Sequence, residues 1–401
     1  MKLFQRLLVA PAALGLISPI AANATEVNLN EISNYSDVES IEITNSFDSD
    51  ESNKNPLIAG GEGLVDGASF DDSFSATTTA SFSVDFGIGA VDGKGLSSTI
   101  TDGDEDLQAA YGFQIDLNTS FSGEDSLDVS IDAGNADSNA DGQTGPLAEL
   151  DLNGSYNNTS QDLLSVDGVS YTFPVGDKTT VIVGDNTDGS ALFNVACVYG
   201  GPSNTLDDCG NVMSAITGGA LALGASYDIG AGFSTAVGFQ FTETGIANEE
   251  NADKYALNFA YDKGSYGASL TYAAYENGAA HTDSYTALNA YYVFDSGLSI
   301  SGGYEVGALQ NATSDGADET LSYFVGAETE FGPGTVGAAY GTYGRQVESS
   351  DVIPDRMMYE LYYSYEVNDG MTVTPLIYTK EGTSATDVDE TGIMVKTSFS
   401  F

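Results

Sequence analysis

Tryptophan is absent from this 401-residue chain, histidine occurs once and cysteine twice. So few imidazoles and thiols exclude a His-rich or Cys-rich metal site. Basic residues are scarce as well: 11 Lys+Arg stand against 59 Asp+Glu, a formal net charge of −48. Such a chain has no cationic stripe to follow a phosphate backbone, so nucleic acid is excluded as a partner. Proline, at 9, is sparse beside 47 glycines, and the glycines keep no three-residue period, which rules out collagen. No phosphate-cradling glycine loop or nucleophile elbow stands between a strand and a helix, and no nucleophile–base pair points to an enzyme. His281 sits in a Gly/Ala-rich loop, with no cysteine or second histidine near it in sequence. Aromatics are not scarce. The 23 Tyr and 19 Phe are far more than a solvated acidic chain carries, so most of the chain folds.

The first 24 residues read as an address. Lys2 and Arg6 form a basic start, Leu7 to Ile20 an apolar run broken by Pro11, Gly15 and Pro19, and Ala22-Asn23-Ala24 a small-x-small cleavage pattern. This predicts a secretory signal peptide over 1–24, cut between Ala24 and Thr25. Without its two bases the remainder holds 9 basic and 59 acidic residues, a net −50. Export brings the chain to an oxidising compartment, which favours a Cys197–Cys209 disulfide; two free thiols are the alternative. Residues 25–74 are polar, acidic and rich in Ser and Asn, and read as a largely disordered arm. Sustained pattern begins near residue 75.

From there one pattern repeats. Phe82, Val84, Phe86 and Ile88 alternate with Ser81, Ser83, Asp85 and Gly87, and Leu298, Ile300, Tyr304 and Val306 with Ser299, Ser301, Gly303 and Glu305. Period two gives each strand one apolar face. Tight turns fall at Val175-Gly176-Asp177, Ile229 to Gly232, Asp262-Lys263-Gly264, Asp295-Ser296-Gly297, Gly332-Pro333-Gly334 and Asn368-Asp369-Gly370. Between them lie longer polar loops at 187–216, 244–251, 276–283, 309–318, 344–356 and 382–389. A soluble sandwich has no reason to sort its connections this way. An outer-membrane barrel does, with short periplasmic turns and long outer loops. Beyond the leader no run of 18 apolar residues offers a spanning helix, but a closed sheet can cross lipid because all its backbone groups pair. Tyr227, Phe233, Phe294, Phe331 and Phe401 fall at strand ends, where interfacial girdles sit.

The expected fold is therefore all-β, a transmembrane antiparallel barrel over 75–401. Seventeen alternating segments can be drawn, including one at 146–155, yet a barrel with both ends on one side needs an even number. The parity is unclear between 122 and 165, so the reading is 16 strands, with 18 as the alternative. On the inward face alternation places Asp85, Asp116, Asp128, Asp132, Glu149, Asp151, Glu305, Glu328, Glu330, Glu360 and Glu366, against only Lys254, Lys380 and Lys396. Rings of one charge set the sign preference of a pore, which predicts cation preference. Acids confined to the rims would instead be screened by salt. The 187–216 connection is the longest and carries both cysteines. It either narrows the lumen or lies at the surface. Asp137, Asn139, Asp141 and Gly142 open like a calcium loop, but its twelfth position is Ala148, not a carboxylate. Asp102, Asp104 and Asp106 are a shorter acidic cluster, read as a hydrated loop. No cofactor or metal is expected.

The leader from Met1-Lys2-Leu3-Phe4-Gln5-Arg6 to Gly15, with Thr25-Glu26-Val27-Asn28-Leu29 after it, resembles the porins of marine cyanobacteria. So do Asp116-Leu117-Asn118-Thr119-Ser120-Phe121-Ser122-Gly123, Leu147-Ala148-Glu149-Leu150 and Tyr171-Thr172-Phe173-Pro174-Val175-Gly176-Asp177-Lys178. Val373-Thr374-Pro375 and the terminal Lys396-Thr397-Ser398-Phe399-Ser400-Phe401 are similar again. The resemblance implies a 16-stranded porin related to the carbohydrate-selective porins, a homotrimer in outer-membrane lipid, passing small hydrophilic solutes. It implies too that Phe401 is the C-terminal aromatic presented to the assembly machinery. One departure is plain: residues 30–74 lack the S-layer-homology pattern and the heptads of that family, so peptidoglycan anchoring does not carry over. Two other functions stay open: a structural or adhesive surface barrel without a pore, and a soluble exported β protein.

Overall fold

A computed structural model describes residues 77–92, 107–135, 147, 149–150, 152, 163–218, 220–243, 245–246, 251–276, 281–310, 319–343, 346–347, 356–381 and 389–401. The leader 1–24 with its Ala24–Thr25 cleavage, the arm 25–74, Asp151, and the clusters at 102–106 and 137–142 lie outside them.

The strands are β1 (Thr78–Asp92), β2 (Gln108–Thr119), β3 (Ser126–Gly134), β4 (Ser165–Val175), β5 (Thr179–Thr187), β6 (Ala220–Gly230), β7 (Phe233–Phe241), β8 (Lys254–Asp262) and β9 (Tyr266–Glu276). They continue as β10 (Thr282–Val293), β11 (Ser299–Ala308), β12 (Glu319–Phe331), β13 (Gly334–Thr342), β14 (Gln346–Val347), β15 (Met357–Asn368), β16 (Met371–Lys380) and β17 (Glu390–Ser400). Every pairing is antiparallel between neighbours, and β1 pairs with both β2 and β17, so the sheet closes on itself. The two-residue β14 pairs with β12 at Leu321↔Gln346, beyond the Phe324↔Gly341 pairing of β13, so both share one place in the wall. The result is a closed barrel of 16 places, with no helix among the described residues.

The period-two pattern explains which way the wall faces. Outward side chains such as Phe86, Ile88, Leu257, Phe259, Leu270, Leu288, Ile300 and Leu361 are exposed, while Asp85, Asn258, Ser269, Ser301 and Glu305 on the alternate face are buried. A sheet that hides its polar side and shows its apolar side is inverted relative to a soluble barrel, and suits a hydrocarbon surround. At the tight-turn end the outward rings run on from strand to strand: Phe233–Tyr261, Tyr261–Tyr266, Tyr266–Tyr292 and Tyr292–Phe294 centroids lie 4.5, 5.9, 6.4 and 4.7 Å apart. Tyr227, Phe331 and Phe401 are exposed at the same end. Toward the long-loop end Tyr323, Tyr340 and Tyr359 make a second outward row, 5.9 and 5.6 Å between successive centroids.

Two observations, the second a correction, resolve the unclear parity. Residues 120–125 form a short turn at the same end as the other tight turns. There the Asp125 carboxylate accepts the Ser122 hydroxyl and N–H at 2.6 and 2.7 Å, the Phe121 N–H at 3.0 Å and the Tyr171 hydroxyl at 2.7 Å. Those donors, Ser122 foremost, hold that carboxyl well below the usual range. The segment at 146–155 is not a wall strand. Its described residues Leu147, Glu149, Leu150 and Leu152 are all buried, and among them the β contact is an isolated bridge, Leu150↔Ser203. A wall strand keeps one face toward lipid; these four residues keep none, because they lie inside the barrel.

Candidate functional site

The connection between β5 and β6 folds inward and is fastened to the wall. Its first arm is extended, so alternate N–H groups point the same way. Asn194, Ala196, Val198 and Gly200 donate in turn to Asn258 Oδ1 (3.2 Å), Ser269 Oγ (2.9 Å), Ser301 Oγ (3.0 Å) and Glu328 Oε1 (2.8 Å). These acceptors are inward residues of β8, β9, β11 and β12, so the arm crosses the wall one rung at a time. The Tyr199 hydroxyl reaches further, to Glu360 on β15.

The return arm is held from the other side. Glu305 on β11 accepts the N–H groups of Met213 (3.0 Å) and Ser214 (2.8 Å) and the Ser214 hydroxyl. Asn289 Nδ2 donates to the Cys209 carbonyl at 3.0 Å, Lys254 Nζ to the Thr217 carbonyl at 2.8 Å, and Gln240 Nε2 to the Gly218 carbonyl. A disulfide joins the arms at Cys197 and Cys209, with Cα atoms 6.5 Å apart. The approach is so close that a Cβ on Gly303 would overlap the Cys209 carbonyl. This is why β11 has no side chain there.

Beneath the loop the inner wall is apolar. Tyr199, Leu206 and Cys209 share one buried cluster with Phe324, Met358, Tyr362, Leu376, Tyr378 and Met394, and Leu147, Leu150 and Leu152 enter the same cluster. A side chain of that size fully buried contributes about 1.5–3 kcal/mol, so the inner elements stay down by packing as well as by hydrogen bonds.

Most of the inward charges therefore divide into three groups. Glu305, Glu328, Glu360 and Lys254 face inward but spend their polar atoms on the loop rather than on open water. Glu328 also accepts the Tyr362 hydroxyl. Glu149 and Asp85 face bases, forming ion pairs with Lys380 and, at 3.5 Å, Lys396. Asp116 and Asp128 stay half-exposed on β2 and β3, among their own neighbours. Asp116 accepts Ser130 Oγ (2.7 Å) and Gln114 Nε2 (2.9 Å), and Asp128 accepts Asn118 Nδ2 (2.6 Å) and Ser126 Oγ (2.7 Å). Asp132 is buried on that same face, while Glu330 and Glu366 are exposed near the tight-turn end. Of the candidate charges, Asp151 alone lies outside the described residues.

Sequence reading passed over several residues that matter here. Asn258, Ser269, Asn289 and Ser301 look like ordinary inward polar residues, yet they are the rungs. Asp188 roots the loop by accepting the Gly218 N–H at 3.0 Å, and burial raises its carboxyl above the usual range against the pull of that bond. Asp208, at the loop's crowded turn, is pushed up to about 7 by burial and then by Asp207.

The fold has solved counterparts. Pseudomonas putida OprB superposes with a TM-score of 0.58 at 14% identity, covering 81% of this chain and 94% of that one. An engineered variant of the Rhodopseudomonas blastica porin gives 0.51 at 12% identity, covering 81% of this chain and all of the other. No family model matches the sequence, and no curated protein does either. What the chain shares with these bacterial porins is the closed 16-strand architecture.

Proposed function

We propose that this protein is an outer-membrane porin through which small hydrophilic solutes diffuse passively. The observation that carries the reading is the inverted barrel: an apolar ringed exterior around a polar interior, with a fastened loop inside it. The exterior needs lipid and the interior needs water. The tight turns face the periplasm and the long connections the outside, after export by the 1–24 leader. The likeness of scattered short motifs to the cyanobacterial carbohydrate-selective porins supports sugars and ions as the solute class, and a trimer as the assembly.

The lumen prefers cations. With Lys254 bound to the loop and Lys380 and Lys396 opposite acids, the half-exposed Asp116 and Asp128 dominate the field that a passing ion meets. Planar-bilayer recording under a KCl gradient tests both parts. Large steps in threes with a cation-selective reversal potential are expected. Steps without selectivity would sink the charge argument alone. A folded, detergent-dependent barrel that gives no steps would favour the second reading, a surface barrel without an open pore. The apolar cluster occupying part of the interior is the feature that keeps that reading in play.

A further inference from the structure

We propose that the buried Glu149–Lys380 ion pair is the catch that holds Leu147, Glu149, Leu150 and Leu152 inside the barrel, and that it thereby sets the cross-section of the conduction path. The inference rests on the channel reading and names a regulating contact that the reading does not require.

Three leucines of the segment, Leu147, Leu150 and Leu152, are buried among Val91, Met358, Leu376 and Met394 on the inner faces of β1, β15, β16 and β17. Apolar contact of this kind attracts but does not fix a register. Direction comes from Glu149. Its Oε1 accepts Lys380 Nζ and, at 3.1 Å, Thr205 Oγ1, while its backbone carbonyl accepts the Asn204 N–H at 3.1 Å. One residue therefore ties the segment to the wall at β16 and to the β5–β6 loop. Its Oε2 is buried with no hydrogen bond among the described residues, so the pair is the main compensation for that charge.

Lys380 is equally committed. Its side chain and that of Glu149 are each only 5% exposed, and its Nζ lies 4.0 Å from the Tyr343 ring centroid and 5.8 Å from that of Tyr378. The cross-strand neighbour Glu390 is occupied by the Tyr378 hydroxyl at 2.6 Å. Lys380→Met leaves Glu149 as an uncompensated buried charge, which must move toward water, whereas Glu149→Gln leaves Lys380 beside Glu390 and removes the charged tie itself. For Glu149 that movement releases the segment from its seat on β15, β16 and β17.

The test is single-channel recording of the full chain. Glu149→Gln and Lys380→Met should both raise conductance, by on the order of twofold, as the lumen widens. Leu150→Ser, which leaves both charges in place, should raise it too. The exchange Glu149→Lys with Lys380→Glu should bring conductance back toward the wild-type value. Unchanged conductance, with reversal potentials moving in opposite directions in Glu149→Gln and Lys380→Met, would reduce the pair to two lining charges and overturn the proposal. Should Lys380→Met fail to fold, as judged by heat-modifiable mobility, Glu149→Gln and Leu150→Ser carry the same test. A silent wild type would fail the channel reading itself; a conducting wild type with variants unchanged would fail this inference alone.

Discussion

The two sides of the inner wall are written in the same alternation and do different work. From β7 to β15 the inward polar residues are filled by the loop: Asn258, Ser269, Ser301, Glu305 and Glu328 each meet a backbone N–H. On β2 and β3 the inward residues Gln114, Asp116, Asn118, Asp128 and Ser130 bond to one another and stay near solvent. An inward carboxylate is thus an anchor on one side and a field source on the other. The difference lies in what faces it, protein or water, and not in the residue type.

That contrast can be broken most sharply at Glu305. Glu305→Ala removes an acceptor shared by three donors, each bond to a charged group being worth about 1.5–3 kcal/mol. Amide exchange at Met213 and Ser214 should accelerate by orders of magnitude while the wall strands keep their protection. Gly303→Ala comes next. The new methyl meets the Cys209 carbonyl, and overpacking of this sort costs about 1–3 kcal/mol. It should lower the thermal midpoint and raise open-channel noise.

The bare side should respond the other way. Asp116→Asn with Asp128→Asn should move the reversal potential toward zero and leave thermal stability within about 0.5 kcal/mol, the range of surface changes. If Glu360→Gln moves the potential as far, the division between anchors and field sources fails. A pH-dependent effect belongs to Asp208. Its carboxyl is raised to about 7 from an ordinary 3.8, so the folded loop holds a proton that the released loop gives up. Loop stability should therefore fall as pH rises from about 4 to about 7 and level off above. Asp208→Asn should flatten that slope in amide exchange followed against pH.

Much of the barrel was legible because period two is a backbone property that lipid and water read the same way in every strand. Sixteen of the drawn segments are the wall, and the excess one, 146–155, misled because burial on all sides leaves no half-exposed face for alternation to report. The turn at 120–125 shows in the sequence only as a break between two alternating segments, since its device, an aspartate collecting serine donors, carries no Asn-Gly or Gly-Pro mark. The rungs were invisible for a different reason. Ser269 and Ser301 differ in no local respect from serines that face water, and only a loop far along the chain decides their role. The nearest thing to a local sign was Gly303, a missing side chain on an inward position beside them.

The seam between β1 and β17 carries a consequence for how the molecule comes into being. These strands are the first and last of the barrel, and they meet through Val84↔Phe399 and the reciprocal Phe82–Phe401 backbone bonds, both 3.0 Å, beneath stacked rings. Until they meet, each presents a full row of unpaired amides, an open template for any other extended chain. The closing contact is also the most distant in sequence, so its loop entropy is lost before it gives any return. A half-made barrel is therefore an adhesive object rather than a smaller version of the finished one, and it needs escort from synthesis until its last residue finds Phe82.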